Sequence, residues 1–199
     1  MSSILRSGLL NGVSVRLREL PGPDGAFGLE RGLSALGARV SALEAADADA
    51  VRRRGAVDAL VLDCSAWVPE GDRAAGAVVA LQGLLDHVWT ATEATANGSF
   101  ISGGDGGRML FIAPRDRDRF TGRAVVAALE NLARTLSVEW ARYGITAVVL
   151  APAPGTRPQD VLSVTAFLLS PAGAYFSGTR LDLDPLTLPA PAPAHPARR

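Results

Sequence analysis

Short apolar runs alternate along the chain with longer segments of helical periodicity. Alternating strands and helices are typical of an α/β domain, and we therefore expect a mostly parallel sheet flanked by helices. The predicted strands span residues 13–20, 38–44, 57–63, 109–113, 145–151 and 179–183. The predicted helices span residues 29–36, 72–96, 121–143 and 158–169, with a short polar helix or turn at 45–54 and a glycine-rich loop at 97–107.

The first predicted strand has an unusual pattern, because Arg16 and Arg18 alternate with Val15 and Leu17. A central parallel strand that is covered on both faces is nearly all apolar. One face of this strand is therefore expected either to lack a helix layer or to be covered by another chain.

The composition changes at Pro185, after which the sequence reads PLTLPAPAPAHPARR. Closely spaced prolines prevent a packed element from forming. We therefore predict one domain over residues 1–184, followed by a disordered Pro/Ala-rich tail over residues 185–199. A partner-binding arm is the alternative interpretation of this tail.

Composition excludes several classes of function. The 199 residues carry a formal net charge of zero, whereas nucleic acids and anionic membranes select for basic surfaces. No apolar run is long enough to span a membrane, and residues 1–10 lack the apolar core of a signal peptide. Cys64 is the only cysteine, and with two histidines it does not make a conventional zinc site. We therefore expect a cytoplasmic protein without a metal ion.

Lysine is missing from the chain, and all 20 basic residues are arginine. A Schiff base, a phosphate-loop lysine and a lysine-assisted proton relay are therefore impossible.

Several segments resemble the short-chain dehydrogenase/reductase (SDR) family. The closest is AALENLARTLSVEWARYGITAVVLAPAPG at residues 127–155, followed by VTAFLLSPAGAYFSGTRLDLD at 164–184 and VDALVLD at 57–63. The resemblance implies a Rossmann-type fold that binds a nicotinamide dinucleotide. It also implies an enzyme that transfers hydride to or from a hydroxyl or ketone group.

The catalytic residues that the resemblance implies are absent. The family uses a tyrosine four residues before a lysine, together with a serine and an asparagine. The match places Gly122 at the tyrosine position and Val126 at the lysine position. It places Ala113 or Pro114 at the serine position and Ala80 at the asparagine position. We therefore predict that the chain has no catalytic residues.

The cofactor motif that the resemblance implies is also degraded. Gly22 and Gly28 match two of its glycines, but Asp24 brings a negative charge to the loop that would hold phosphates. Glu44 stands where the family holds an adenosine ribose, and a solvated loop glutamate is the alternative interpretation. We do not expect this chain alone to bind NAD(P).

Two segments are shorter than the resemblance implies. Between Glu44 and Asp58 there is no room for the family's additional strand and helices, and the substrate-covering lid after Gly155 is missing. The region between the second strand and the strand that corresponds to the family's fourth is therefore expected to be shortened.

The two long helices match those through which family members dimerise. The residues predicted to contact a partner are Leu85, Trp89, Leu129, Leu132, Leu136 and Trp140. The alternative is that they all face the internal core.

The leading functional hypothesis is a catalytically inactive SDR-like subunit that pairs with an active SDR enzyme in a heterodimer or heterotetramer. A nucleotide- or small-ligand-binding protein is the alternative. A third hypothesis is an active oxidoreductase with relocated catalytic residues, although the only two tyrosines, Tyr143 and Tyr175, lie in segments that match noncatalytic positions of the family.

Overall fold

A computed structural model describes residues 6–20, 26–43, 48–68, 74–116 and 119–184. In these ranges six strands form one parallel sheet in the order β2-β1-β3-β4-β5-β6. The predicted α/β architecture is therefore confirmed. The strands are β1 (Ser14–Glu19), β2 (Arg39–Ala42), β3 (Ala59–Asp63), β4 (Gly107–Ile112), β5 (Ile145–Pro152) and β6 (Thr179–Leu183).

Five of the six helices follow the predicted order, and one short helix lies in the segment predicted as a glycine-rich loop. The helices are α1 (Leu29–Ala35), α2 (Ala48–Arg53), α3 (Ala74–Thr95), α4 (Ile101–Gly103), α5 (Phe120–Glu139) and α6 (Pro158–Leu169). Short 3₁₀ turns follow α5 at Ala141–Tyr143 and α6 at Pro171–Tyr175. Among the described residues, α2 is the only helix between β2 and β3, and two residues separate Gly155 from the start of α6.

Each face of the sheet has its own apolar core. Leu33 of α1 and Leu169 of α6 pack on one face, together with Val15 of β1. Val88 of α3 and Leu129 of α5 pack on the opposite face against the aromatic ring of Phe111 of β4. β3 is buried along its whole length, because helices cover both of its faces.

The polar side of β1 is covered within this chain, which corrects the expectation that another chain could cover it. Arg16 is only 4% exposed. Its guanidinium donates to the Ser41 hydroxyl of β2 (3.0 Å) and to the Gly55 carbonyl (3.4 Å). Burial, followed by the charge of Arg54, lowers the pKa of Arg16. β1 is therefore a two-sided inner strand in which hydrogen bonds replace part of the apolar packing.

The predicted glycine-rich loop at 97–107 is wrong over residues 97–103, and a loop is found only at residues 104–106, before β4. A π-helical turn at Ala96–Phe100 continues α3, and α4 follows it directly. The Ser99 hydroxyl accepts from the Val57 amide (2.8 Å), and the Phe100 ring is buried against Gly107. Tertiary contacts therefore hold a helix that the local composition does not favour.

Candidate functional site

The carboxyl ends of the parallel strands form the edge where folds of this architecture bind ligands. Glu19 and Asp63 are the last residues of β1 and β3, and they are register partners in the sheet. Because side chains alternate along a strand, both carboxylates lie on the face that carries α1. Two acidic groups therefore stand side by side below the start of this helix.

Both carboxylates accept hydrogen bonds from backbone N–H groups around the beginning of α1. Glu19 Oε1 accepts from the amide of Leu29, the first residue of the helix, at 3.0 Å. Asp63 Oδ2 accepts from the Phe27 amide (3.4 Å), and its Oδ1 accepts from the Ser65 amide (2.8 Å). Between the two amides, Gly28 adopts a left-handed conformation with φ of 65°. The chain's own acidic groups are thus bound where this class of fold presents N–H groups to phosphates.

Asp63 is completely buried. Burial raises its pKa, while hydrogen bonds from Ser65 and Phe27 and the charge of Arg115 act in the opposite direction. Cys64 beside it is also fully buried, and burial followed by the charge of Asp63 raises the pKa of its thiol. The thiol is therefore neutral and inaccessible, which excludes it as a nucleophile in the folded state.

The side chains of Phe27 and Arg115 lie close to Asp63. Phe27 is 8% exposed, and the Arg115 guanidinium carbon lies 5.0 Å from the centroid of its ring. Arg115 Nε also donates to the Ser65 carbonyl at 3.3 Å. This cation–π contact links the loop before α1 to the segment after β4.

A depression of about 490 Å³ lies at the same edge of the sheet, between α5 and the ends of β5 and β6. Val126, the residue at the predicted lysine position, is part of its wall. Among the described residues that line it there is no tyrosine or serine. They are Arg123, Val126, Ala127, Ala153, Pro154, Arg180 and Asp184.

The remaining predicted catalytic positions hold no proton-transferring group. Gly122 is buried on α5, one helical turn before Val126. Ala113 and Pro114 are buried directly after β4. Ala80 is half-buried on α3. Tyr175 is 92% exposed in the 3₁₀ turn after α6.

Part of the predicted cofactor site cannot be placed, because Gly22 and Glu44 lie outside the described residues. Gly28 is described, and its left-handed backbone precedes α1. Within the described ranges, no group of three or more potential ligands could hold a metal ion. None of the helices in those ranges has the length and apolar character that a membrane span requires.

The outer surface of α3 and α5 carries an exposed apolar strip, which we call the α3/α5 face. Val78 (53% exposed), Leu85 and Trp89 (45% exposed) recur on one side of α3 at helical spacing. On α5, half-buried Leu132 lies on the side toward α3. The strip ends at Trp140, whose ring stacks on Trp89 with centroids 6.4 Å apart.

Two of the residues predicted for a partner interface do not belong to the α3/α5 face. Leu129 and Leu136 are buried in the core beneath α5, with at most 2% of their surface exposed. For these two residues the interpretation as internal core residues applies. Leu85, Trp89, Leu132 and Trp140 remain accessible.

Solved structures of known proteins share this fold. The citronellol catabolism dehydrogenase (AtuB) of Pseudomonas aeruginosa PAO1 superposes with a TM-score of 0.69 at 22% identity, over 92% of this chain and 97% of that chain. A short-chain dehydrogenase/reductase from Serratia marcescens BCRC 10948 gives 0.68 at 17% identity, over 88% and 98%. The chain has the SDR fold. A gluconate 5-dehydrogenase from Burkholderia cenocepacia J2315, solved with NADP and tartrate, gives 0.68 at 21% identity, over 89% and 96%.

No family model and no curated protein matches the sequence. At the identities of the solved structures, the likeness establishes the fold, and the chemistry has to be derived from the residues of the site.

A nicotinamide dinucleotide does not fit the site described above. Its pyrophosphate needs N–H donors at the start of the first helix, but the Leu29 and Phe27 amides are bound to Glu19 and Asp63. The Arg115 guanidinium lies over the Phe27 ring beside the Phe27 amide. The fold's usual cofactor therefore supplies no step of a mechanism here.

Sequence reasoning did not predict that Glu19 and Asp63 accept hydrogen bonds at the start of α1, or that Arg115 contacts Phe27. A signal was present, because an acidic residue ends each of two strands whose carboxyl ends share one edge of the sheet.

Proposed function

We propose that this protein is a non-catalytic subunit with the SDR fold that associates with an active SDR enzyme in a heteromeric oxidoreductase. The observation that carries the proposal is the set of residues on α5, both at its catalytic positions and on its exposed surface. By the sequence resemblance, Val126 and Gly122 of this helix correspond to the lysine and tyrosine that the family's reaction needs, while its Leu132 adds to the accessible apolar strip beside α3. The helix thus lacks the reaction's groups and keeps a surface that suits a partner helix.

The α3/α5 face has the character of the centre of a protein–protein interface. Its exposed residues are aliphatic or aromatic, and tryptophan is enriched among the residues that dominate binding energy. Ala124 and Ala128 precede Leu132 at four-residue spacing, and small side chains on this side of α5 allow a partner helix to approach closely. An active enzyme of the same fold would offer matching helices.

The alternative, a nucleotide sensor, is less well supported. The backbone donors that such a protein would turn toward a nucleotide are bound to the carboxylates of Glu19 and Asp63. An active oxidoreductase would need a proton donor at the cleft beside Val126, where the described lining residues include neither tyrosine nor lysine.

Co-expression with SDR enzymes encoded next to this protein tests the proposal. We expect an affinity-tagged chain to co-purify with one of them in a fixed stoichiometry, and the complex to oxidise or reduce a hydroxyl/ketone substrate. The isolated chain should show no turnover. Recovery of this chain only as a monomer or homodimer would contradict the proposal.

A pair of matched variants locates the interface. Val78→Glu introduces a charge into the α3/α5 face, whereas Val138→Glu introduces it at an exposed valine (74%) on the side of α5 opposite the core. Because burying an unpaired charge costs several kcal/mol, we expect Val78→Glu to weaken the complex more than about tenfold. Val138→Glu should leave it intact, and equal effects of the two variants would exclude this face.

A further inference from the structure

We infer that Glu19 and Asp63 act as built-in substitutes for the phosphates of a dinucleotide, so that the nucleotide-binding half of this fold is closed by its own side chains. The inference concerns the chain itself and is independent of any partner subunit. It therefore stands or falls separately from the proposed function.

The first step is the identity of the donors. In dinucleotide-binding folds, the loop after the first strand turns N–H groups toward an anion at the beginning of the first helix. Here the same element carries the Leu29 and Phe27 amides, on either side of the left-handed Gly28. The anions that they bind are carboxylates of β1 and β3.

The second step is that these contacts tie together separate parts of the fold. Glu19 Oε1 joins the end of β1 to the first residue of α1. Asp63 joins the end of β3 to the loop before α1 through Phe27, and to its own following turn through Ser65. A bound pyrophosphate would fix the same loop through contacts with a ligand, whereas here hydrogen bonds within the chain fix it.

The third step is electrostatic exclusion. A pyrophosphate at these donors would come into contact with the carboxylates that now accept hydrogen bonds from them. Asp63 is buried and Glu19 is half-buried, so water screens the repulsion between a pyrophosphate and these groups poorly. The two carboxylates therefore exclude a pyrophosphate, and they accept the hydrogen bonds that the backbone amides would otherwise donate to it.

Thermal unfolding of the full chain tests this inference, with inorganic pyrophosphate, NAD⁺ and NADPH as probes. We expect none of the three to raise the Tm of the wild-type protein at millimolar concentration, relative to chloride at equal ionic strength. A Tm increase of the wild-type protein that saturates with any of them would overturn the inference.

Glu19→Ala should reverse this behaviour, because it frees the Leu29 amide and removes one charge. We expect a lower Tm without ligand and a partial recovery with pyrophosphate, whose affinity should exceed that for the wild-type chain by more than about tenfold. Glu30→Ala is the matched control, since Glu30 is an exposed acid in the same first turn. Absence of any pyrophosphate response in folded Glu19→Ala, or an equal response in Glu30→Ala, would contradict the inference.

A second measurement does not depend on how stable Glu19→Ala is. In the wild-type chain the Leu29 amide should exchange its hydrogen slowly, because the Glu19 carboxylate accepts its hydrogen bond. Glu19→Gln keeps an acceptor oxygen and should preserve this protection. A Leu29 amide that exchanges in the wild-type chain at the rate of an unprotected amide would show that the carboxylate does not cap it.

Discussion

His87 lies half-buried on α3 with its ring close to the positive charge of Arg18. Among the described residues, its Nε2 atom has no hydrogen-bond partner. Burial and, to a smaller extent, Arg18 lower the pKa of His87. The imidazole is therefore neutral in the folded protein at a pH where an unfolded chain begins to bind a proton.

This histidine should make the protein acid-sensitive. Below about pH 6.5 the unfolded state binds more protons at this position than the folded state, so the free energy of unfolding falls as the pH falls. We expect His87→Gln to reduce the loss of stability between about pH 7.5 and about pH 5.5, a range above the ordinary titration of carboxylates. Urea unfolding of both proteins at the two pH values measures it, and equal losses would contradict the prediction.

At the scale of elements, the junction between α2 and the π-helical turn depends on one missing side chain. A Cβ atom on Gly98 would lie 2.5 Å from the Ala48 carbonyl oxygen and 2.7 Å from the Cβ of Val51. The turn and α2 can therefore pack only because residue 98 is glycine. The same close packing buries Phe100 and places Ser99 within reach of Val57.

Gly98→Ala should therefore destabilise the protein by about 1–3 kcal/mol, the usual cost of overpacking. Gly83→Ala is the matched control, because Gly83 lies inside α3 and a Cβ there would meet no atom within 4 Å. It should stabilise by about 0.5–1 kcal/mol through helix propensity. Chemical denaturation of both variants checks the opposite signs, and a neutral Gly98→Ala would refute the close contact.

Elements with a strong local pattern were predictable from the sequence. The predicted bounds of α6 and β6 agree with the structure to the residue. For α6 the reason is that a proline begins the helix and apolar periodicity runs through it. The segment around Gly98 was not predictable, since its helical form depends on a contact with Ala48, which is distant in sequence.

Some features of the candidate site were likewise predictable from the sequence, and others were not. Val126 and Gly122 lie four residues apart on one helix, and the resemblance of that helix to the family's predicts that they occupy the lysine and tyrosine positions. The pairing of Glu19 with Leu29 and of Asp63 with Phe27 depends on which strands are neighbours and on the path of the loop before α1. Strand order is a property of the whole sheet, and a local pattern does not contain it.

At the scale of the whole molecule, stability should be graded across the sheet. β3 and β4 are buried between two helix layers, whereas β2 is a four-residue edge strand with partly exposed side chains. Few buried contacts and an open edge allow local opening below the free energy of global unfolding.

Native-state hydrogen exchange should show this gradient. We expect the amides of β3 and β4 to exchange at rates set by global unfolding. The amides of β2 should exchange at least about tenfold faster, through local opening. Slow exchange of β2, equal to that of β4, would mean that this edge is covered in solution.

The burial of Cys64 has a practical consequence for work on this protein. The chain's single native thiol is neutral and closed to solvent, and the sequence offers no lysine amine to compete for reagents. A cysteine introduced at Val78 would therefore be the single reactive side chain for a maleimide dye or spin label in the folded protein. Distances and encounters on the α3/α5 face can be followed in an otherwise native chain, without first removing a background of reactive groups.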